Sequence, residues 1–295
     1  MRLEKIKRSS NVEDRRQMRG GTKAVGGGLG AIVMALIAIF IFKKDPVQTL
    51  SNLALQTSQQ QSVGPAREFT PEEQALQEHV EKVLTLTEDV WEEIFPYAAE
   101  KFSGGAAPYV KPKLISFSGR IRTACGLADA GMGPFYCPGD QQVYIDLAFY
   151  DELKKKFKAP GDFAQAYVIA HEVGHHVQKL LGFSDFVNEK RQQLAPEEFN
   201  KYSVKLELQA DYFAGVWANR AQKNWQVLER GDLEEGIRAA GAVGDDTIQK
   251  QAQGYAVPES FTHGTAEQRI KWFTLGLESG DPRAHNPFDL AYEDL

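Results

Sequence analysis

Cysteine, histidine and positive charge are all scarce in this chain. Two of its 295 residues are cysteine, six are histidine, and the formal net charge is −6. The deficit of positive charge argues against nucleic-acid binding, which needs a basic face to displace counterions. Cys125 and Cys137 have no histidine and no second cysteine pair beside them, which argues against a thiolate metal site there. The remaining readings are two free thiols or a disulfide closing the glycine-rich loop that holds Gly126, Gly131 and Gly133. An oxidising compartment favours the disulfide, which stabilises by roughly 3 kcal/mol in the loop-entropy description. No internal repeat is present. At this length and 42% hydrophobic content, the chain can bury one sizeable core with residues left over.

Charge is unevenly placed. The first 23 residues carry eight basic and three acidic side chains, and the remainder carries 26 basic against 37 acidic. Between the basic start and the acidic body lie residues 24–42, which hold no charge. As a helix they would span about 28 Å, close to the thickness of a bilayer's hydrocarbon core. The strongly apolar part, 29–42, also suits the h-region of a signal peptide, but it ends in Ile41-Phe42-Lys43-Lys44 with no small-residue cleavage site. A retained, single-pass signal anchor is therefore favoured. The basic side is expected in the cytoplasm and the main body outside the inner membrane. Arg15-Arg16 lacks the hydrophobic follow-on of a twin-arginine signal and reads as part of the charge bias.

The histidines that do occur are concentrated. His171-Glu172-Val173-Gly174-His175 lies in a proline-free, helically periodic run at 163–181. Residues four apart share a helix face, so both imidazoles can converge on one ion. Zinc accepts imidazole nitrogen and in catalytic sites leaves one position for water, toward which Glu172 would point as general base. The competing reading is a core helix with two satisfied histidines. A catalytic zinc also needs a third ligand. Glu207-Leu208-Gln209-Ala210-Asp211, in a second helical run at 197–221, stacks Glu207 and Asp211 on one face. Glu207 can complete a His-His-Glu set, leaving Asp211 to accept the second N–H of a ligating imidazole. The alternative is a solvated acidic face, against which the apolar neighbours of Asp211 argue.

The paired motifs H-E-V-G-H and E-L-Q-A-D resemble the gluzincin branch of zinc metalloproteases. More narrowly, the chain resembles the bacterial family named putative neutral zinc metallopeptidases. That likeness also rests on residues 11–16, on Gly133-Pro134-Phe135-Tyr136-Cys137-Pro138, on Val143-Tyr144-Ile145-Asp146 and on Thr262-His263-Gly264. It implies Zn2+ as cofactor, with His171, His175 and Glu207 as ligands, Glu172 activating water, and Asp211 orienting His171. Residues 260–270 also resemble the T-H-P…R-I segment of CAAX-type membrane metalloproteases, with Gly264 in place of the proline. On that comparison His263 would donate to the oxyanion formed as water attacks the peptide carbonyl. The same stretch also reads as a plain helix start capped by Thr265. His176, turned around the helix from the ligands, reads as structural.

The expected fold class is α+β: a zincin-like metalloprotease domain, mostly helical with a small sheet, preceded by a single N-terminal transmembrane helix. The expected parts are a basic cytoplasmic tail (1–23), the anchor (24–42), a polar linker (43–69), the metallopeptidase domain (70–280) and a polar tail (281–295). Thr70-Pro71-Glu72-Glu73 should start a helix that Pro96 ends near Phe95. Residues 113–117 and 142–145 read as strands. The strand at 143–145 is expected as the sheet edge to which an extended substrate adds itself. The expected activity is hydrolysis of peptide bonds in a protein or peptide substrate. The alternatives are a non-catalytic envelope binding or assembly protein and a hydrolase of cell-wall amides. No glycan-binding aromatic cluster supports the last of these.

Overall fold

The computed structural model describes residues 1–17 and 68–295. The expected anchor at 24–42 and nearly all of the 43–69 linker lie outside the described residues. Among those described, no helix is long and apolar enough to cross a membrane.

Met1–Arg16 form one compact unit with Phe69–Leu295, which corrects the expectation of a separate tail over 1–23. Met1 and Leu3 are buried, and the Arg2 amide donates to the Val227 carbonyl at 2.8 Å. Ser9 Oγ and Asn11 Nδ2 donate to the buried Glu88 carboxylate at 2.9 and 2.7 Å. Strand β1 (Val12–Asp14) then pairs in parallel with β2 (Lys113–Phe117). The Arg16 guanidinium lies 3.9 Å over the Phe69 ring and donates to the Glu73 carbonyl at 3.1 Å. Three of the basic side chains that read as a topological signal are engaged within the fold, Arg8 with Glu78, Arg15 with Glu13 and Arg16 with Asp14. A three-residue strand whose partner lies a hundred residues away leaves too short a pattern to see in the sequence.

The main sheet runs β1-β2-β6-β5, where β5 is Phe135–Cys137 and β6 is Gln142–Asp146. Strand β6 pairs in parallel with β2 and antiparallel with β5, so it is interior. The expected substrate edge at 143–145 is thereby corrected: the edge strand on that side is β5. A separate hairpin, β3 (Arg120–Thr123) and β4 (Gly126–Asp129), is tied to β5 by the Cys125–Cys137 disulfide, with the two Cα atoms 5.8 Å apart.

Eight α-helices accompany this sheet among the described residues. Helix α1 (Pro71–Phe102) opens with the expected capping box between Thr70 and Glu73. It continues through Pro96, because the carbonyl that the proline leaves unpaired is that of solvent-exposed Glu92, while Ala98 and Ala99 beyond it are buried. After α2 (Phe149–Lys155) come α3 (Asp162–Leu181), which carries H-E-V-G-H, and α4 (Phe183–Gln193), which forms most of the 182–196 insertion. Helix α5 (Pro196–Trp225) carries E-L-Q-A-D, followed by α6 (Asp232–Ala242), α7 (Asp245–Gln253) and α8 (Ala266–Ser279). Residues 281–295 are docked rather than a loose tail: Phe288 stacks on Phe183 with centroids 5.1 Å apart, and Pro287 is buried.

Two close helix contacts set the site. A Cβ at Gly174 of α3 would stand 3.0 Å from the Ala210 carbonyl oxygen of α5. On the other side of α5, a Cβ at Gly215 would meet the Phe273 carbonyl at 2.0 Å, and one at Gly276 would meet the Tyr212 carbonyl at 2.0 Å. Glycine at these positions lets α5 touch α3 and α8 backbone to backbone. Gly276→Ala should therefore force α5 and α8 apart and lower stability by roughly 1–3 kcal/mol, read from denaturant unfolding. A second expectation concerns acid. Burial outweighs Asp162 at His79 and the Val110 carbonyl at His176, holding both imidazoles down at about 4. The unfolded chain takes up these protons near pH 6.5 and the folded chain does not. Stability is complete above pH 6.5 and falls as pH drops from there toward 4, by on the order of 3 kcal/mol for the fully buried His176. Urea unfolding of wild type and His176→Asn across pH 7.5 to 4.5 should show a shallower decline in the variant.

Candidate metal centre

Helix α3 presents a polar stripe toward α5: Tyr167, His171, His175 and Gln178 follow one another at one-turn spacing. Opposite it, α5 presents Glu207 and Asp211 one turn apart. Because Gly174 and Ala210 let the backbones meet, Glu207 reaches both imidazoles. Its Oε2 lies 3.2 Å from His171 Nε2 and its Oε1 lies 3.5 Å from His175 Nε2. One ligand atom from each of the three residues falls within 4.8 Å of the others. The three expected ligands are thus brought together.

The outer bonds leave both Nε2 atoms aimed inward. His171 Nδ1 donates to Asp211 Oδ1 at 2.8 Å, the orienting contact expected for Asp211. His175 Nδ1 donates to Gln178 Oε1 at 2.8 Å. Two nitrogens and a carboxylate, each imidazole turned by a bond at its other nitrogen, fit zinc, which takes such ligands in a tetrahedral set with a fourth place left for water. Glu172, the expected base, is buried on the same helix between the two ligands.

Asp211 is fully buried and has more partners than the motif reveals. Arg269 of α8 grips it with two bonds, Nε to Oδ2 at 2.8 Å and Nη2 to Oδ1 at 3.0 Å. Tyr167 OH also donates to Oδ1, at 2.5 Å, and receives Arg269 Nη2 at 3.2 Å. Burial alone would raise the Asp211 carboxyl, but Arg269 and His171 outweigh it and hold it at about 2. Burial likewise would lower His171, but Asp211 and Glu207 carry it up to about 10. Glu207 stays well below the usual carboxylate range despite burial, held there by His175 and His171. A metal held by His171, His175 and Glu207 would bind His171 through Nε2, with its Nδ1 proton left to Asp211.

His263 stands outside the three-ligand group. Asp245 organises it: Oδ2 accepts the amides of Thr262 and His263, both at 2.6 Å, and Oδ1 accepts from the imidazole at 3.1 Å. The bond to Asp245 and the field of Glu207 push the His263 pKa up. The ring is half exposed, and a Cβ at Gly264 beside it would meet Val204 and Leu208, on the turn of α5 that carries Glu207. Thr265 also caps α8, so the helix-start reading of this segment holds together with its placement near the site. His176 is structural, with Tyr136 OH 3.1 Å from Nδ1 and the Val110 carbonyl 2.6 Å from Nε2. His285 packs edge-on against Tyr212.

Sequence reading missed Tyr167, Gln178 and Arg269. The first two were visible as helical neighbours of the histidines at i−4 and i+3. Nothing local marks Arg269 as the partner of Asp211. A second acidic group, Asp162, Asp232 and Glu235, has spacing that could hold a cation. The Met1 amino group lies against it, 2.6 Å from Asp162 and 3.4 Å from Asp232.

The chain is 46% identical over 297 residues to the uncharacterized protein YpfJ of Escherichia coli (strain K12), covering 98% of this chain and 99% of that protein. It is 44% identical over 193 residues to the uncharacterized protein Rv2575 of Mycobacterium tuberculosis (strain ATCC 25618 / H37Rv), covering 62% of this chain and 64% of that one. No solved structure matches. A family model described as putative neutral zinc metallopeptidase matches residues 1–288, so the chain belongs to that family.

Proposed function

We propose that this protein is a zinc-dependent peptidase that hydrolyses peptide bonds, with His171, His175 and Glu207 as the metal ligands. The observation that carries the reading is the meeting of one carboxylate with two imidazoles across α3 and α5, with Glu172 between the imidazoles in sequence. Zinc bound there would polarise the scissile carbonyl and acidify a water. Glu172 takes the proton from that water as it attacks and returns it to the departing amine. Asp211, clamped by Arg269 and Tyr167, keeps the His171 proton on Nδ1. His263, braced by Asp245, is the donor proposed for the oxyanion.

The substrate is proposed to be an extended protein or peptide segment that adds itself to β5, the edge strand lying against α3. The Cys125–Cys137 disulfide at the end of that strand supports action in an oxidising compartment outside the cytoplasm. The uncharged run at 24–42 supports attachment to the cell membrane.

Two measurements test this reading. Glu172→Gln should retain zinc, measured as metal content of the purified protein, while cleavage of a broad peptide library falls about 10²- to 10⁴-fold. Loss of metal as complete as in His171→Ala would refute the role given to Glu172. Glu207→Ala should lose most of its zinc, and unchanged metal content would remove the third ligand. A zinc-loaded wild type that cleaves nothing in the library would point instead to a binding or assembly protein.

A further inference from the structure

The C-terminal segment reaches the metal centre without touching it. We propose that Asn286 positions the zinc ligand His175 through a one-way chain of carboxamide hydrogen bonds; this rests on the reading of His175 as a ligand. Gln178 Oε1 accepts the His175 Nδ1 proton at 2.8 Å. Gln178 Nε2 donates to Gln209 Oε1 at 3.1 Å and to the Leu206 carbonyl at 2.6 Å. Gln209 Nε2 donates in turn to Asn286 Oδ1 at 3.0 Å.

The direction of the chain is fixed at both ends. A carboxamide has one accepting and one donating end, so turning any member round would set two donors or two acceptors face to face. At the near end, the Leu206 carbonyl demands the NH2 group of Gln178. At the far end, the Phe288 amide donates to Asn286 Oδ1 at 3.2 Å, and the acceptor-only Asp289 carboxylate takes Asn286 Nδ2 at 3.0 Å. Gln178 and Gln209 are 0% and 1% exposed, so water does not replace a missing partner between them.

The consequence falls on one imidazole. With Gln178 unable to present its NH2 group to the ring, the His175 proton is kept on Nδ1 and the Nε2 lone pair faces Glu207 and the metal position. His171 reaches the same state through Asp211, so each imidazole ligand has its own positioning partner. One is an ionic cluster reaching α8, and the other is a neutral relay reaching residues 286–289. Gln178, Gln209 and Asn286 are positioning residues, since none of them stands among the three ligands.

The test measures zinc affinity of the full chain by competition with a metallochromic chelator, together with the ¹⁵N signals of the His171 and His175 ring nitrogens. Gln178→Leu is expected to weaken zinc about 10- to 100-fold, in the range for partners of metal-bound histidines. Asn286→Leu is expected to weaken it in the same direction and to move the His175 Nδ1 signal while leaving that of His171 in place. Should Asn286→Leu perturb packing of the segment, the pair Asn286→Asp and Asn286→Asp/Asp289→Asn gives a second reading. The first sets two carboxylates against each other and should weaken zinc. The second restores a donor opposite an acceptor and should recover affinity. Zinc affinity and a His175 signal that are unchanged in Asn286→Leu would overturn the proposal. If the wild type takes up no zinc, the metal reading fails separately. The His175 Nδ1 signal of the metal-free protein then still decides whether Asn286 reaches the ring.

Discussion

One buried carboxylate organises the centre of this protein. Asp211 sits at zero exposure among His171, Tyr167 and Arg269, and an isolated carboxylate there would be strongly disfavoured. Its charge is tolerated because a guanidinium from another helix meets it with two parallel bonds, a geometry that arginine provides and lysine does not. The cluster thus joins three helices, with His171 and Tyr167 on α3, Asp211 on α5 and Arg269 on α8. Removing one member would leave another charge buried without a partner, which is why such clusters are costly to break even where they add little net stability.

That cluster can exist only because the helices come close. Gly174, Gly215 and Gly276 lie where a side chain would push neighbouring backbone away. Gly174 occupies one of the two variable positions of the metal-binding motif, so the motif carries packing information as well as ligands. A methyl group there would press on α5 at Ala210, next to Asp211 and one turn from Glu207. Helix packing and ligand geometry are the same constraint at this point. The aromatic core continues it outward: Phe163 stacks on Trp217, and Trp91 meets Phe213 edge-on.

The parts legible in the sequence were those with a local period. His171, His175, Glu207 and Asp211 declared themselves by four-residue spacing, and the helices bearing them followed from apolar periodicity and capping residues. Strands β2 and β6 were readable because they are apolar runs bounded by turns. What was hidden depends on long-range partners. Strand β1 is three residues long and is defined by β2. Strand β5 makes β6 an interior strand, which no local pattern records. Arg269 finds Asp211 from 58 positions away, and Asn286 finds Gln209 from 77. Pro96 misled for a related reason, since burial of the turn beyond it overrides the lost hydrogen bond.

The contact between Arg16 and Phe69 has a consequence for how the folded unit bears mechanical load. Strand β1 lies in the same sheet as β2, and Arg16 leaves the folded unit where Phe69 rejoins it. Both junctions with the remaining residues therefore lie side by side at the start of α1, so tension applied through either is borne first by the Arg16–Phe69 contact and the β1–β2 ladder.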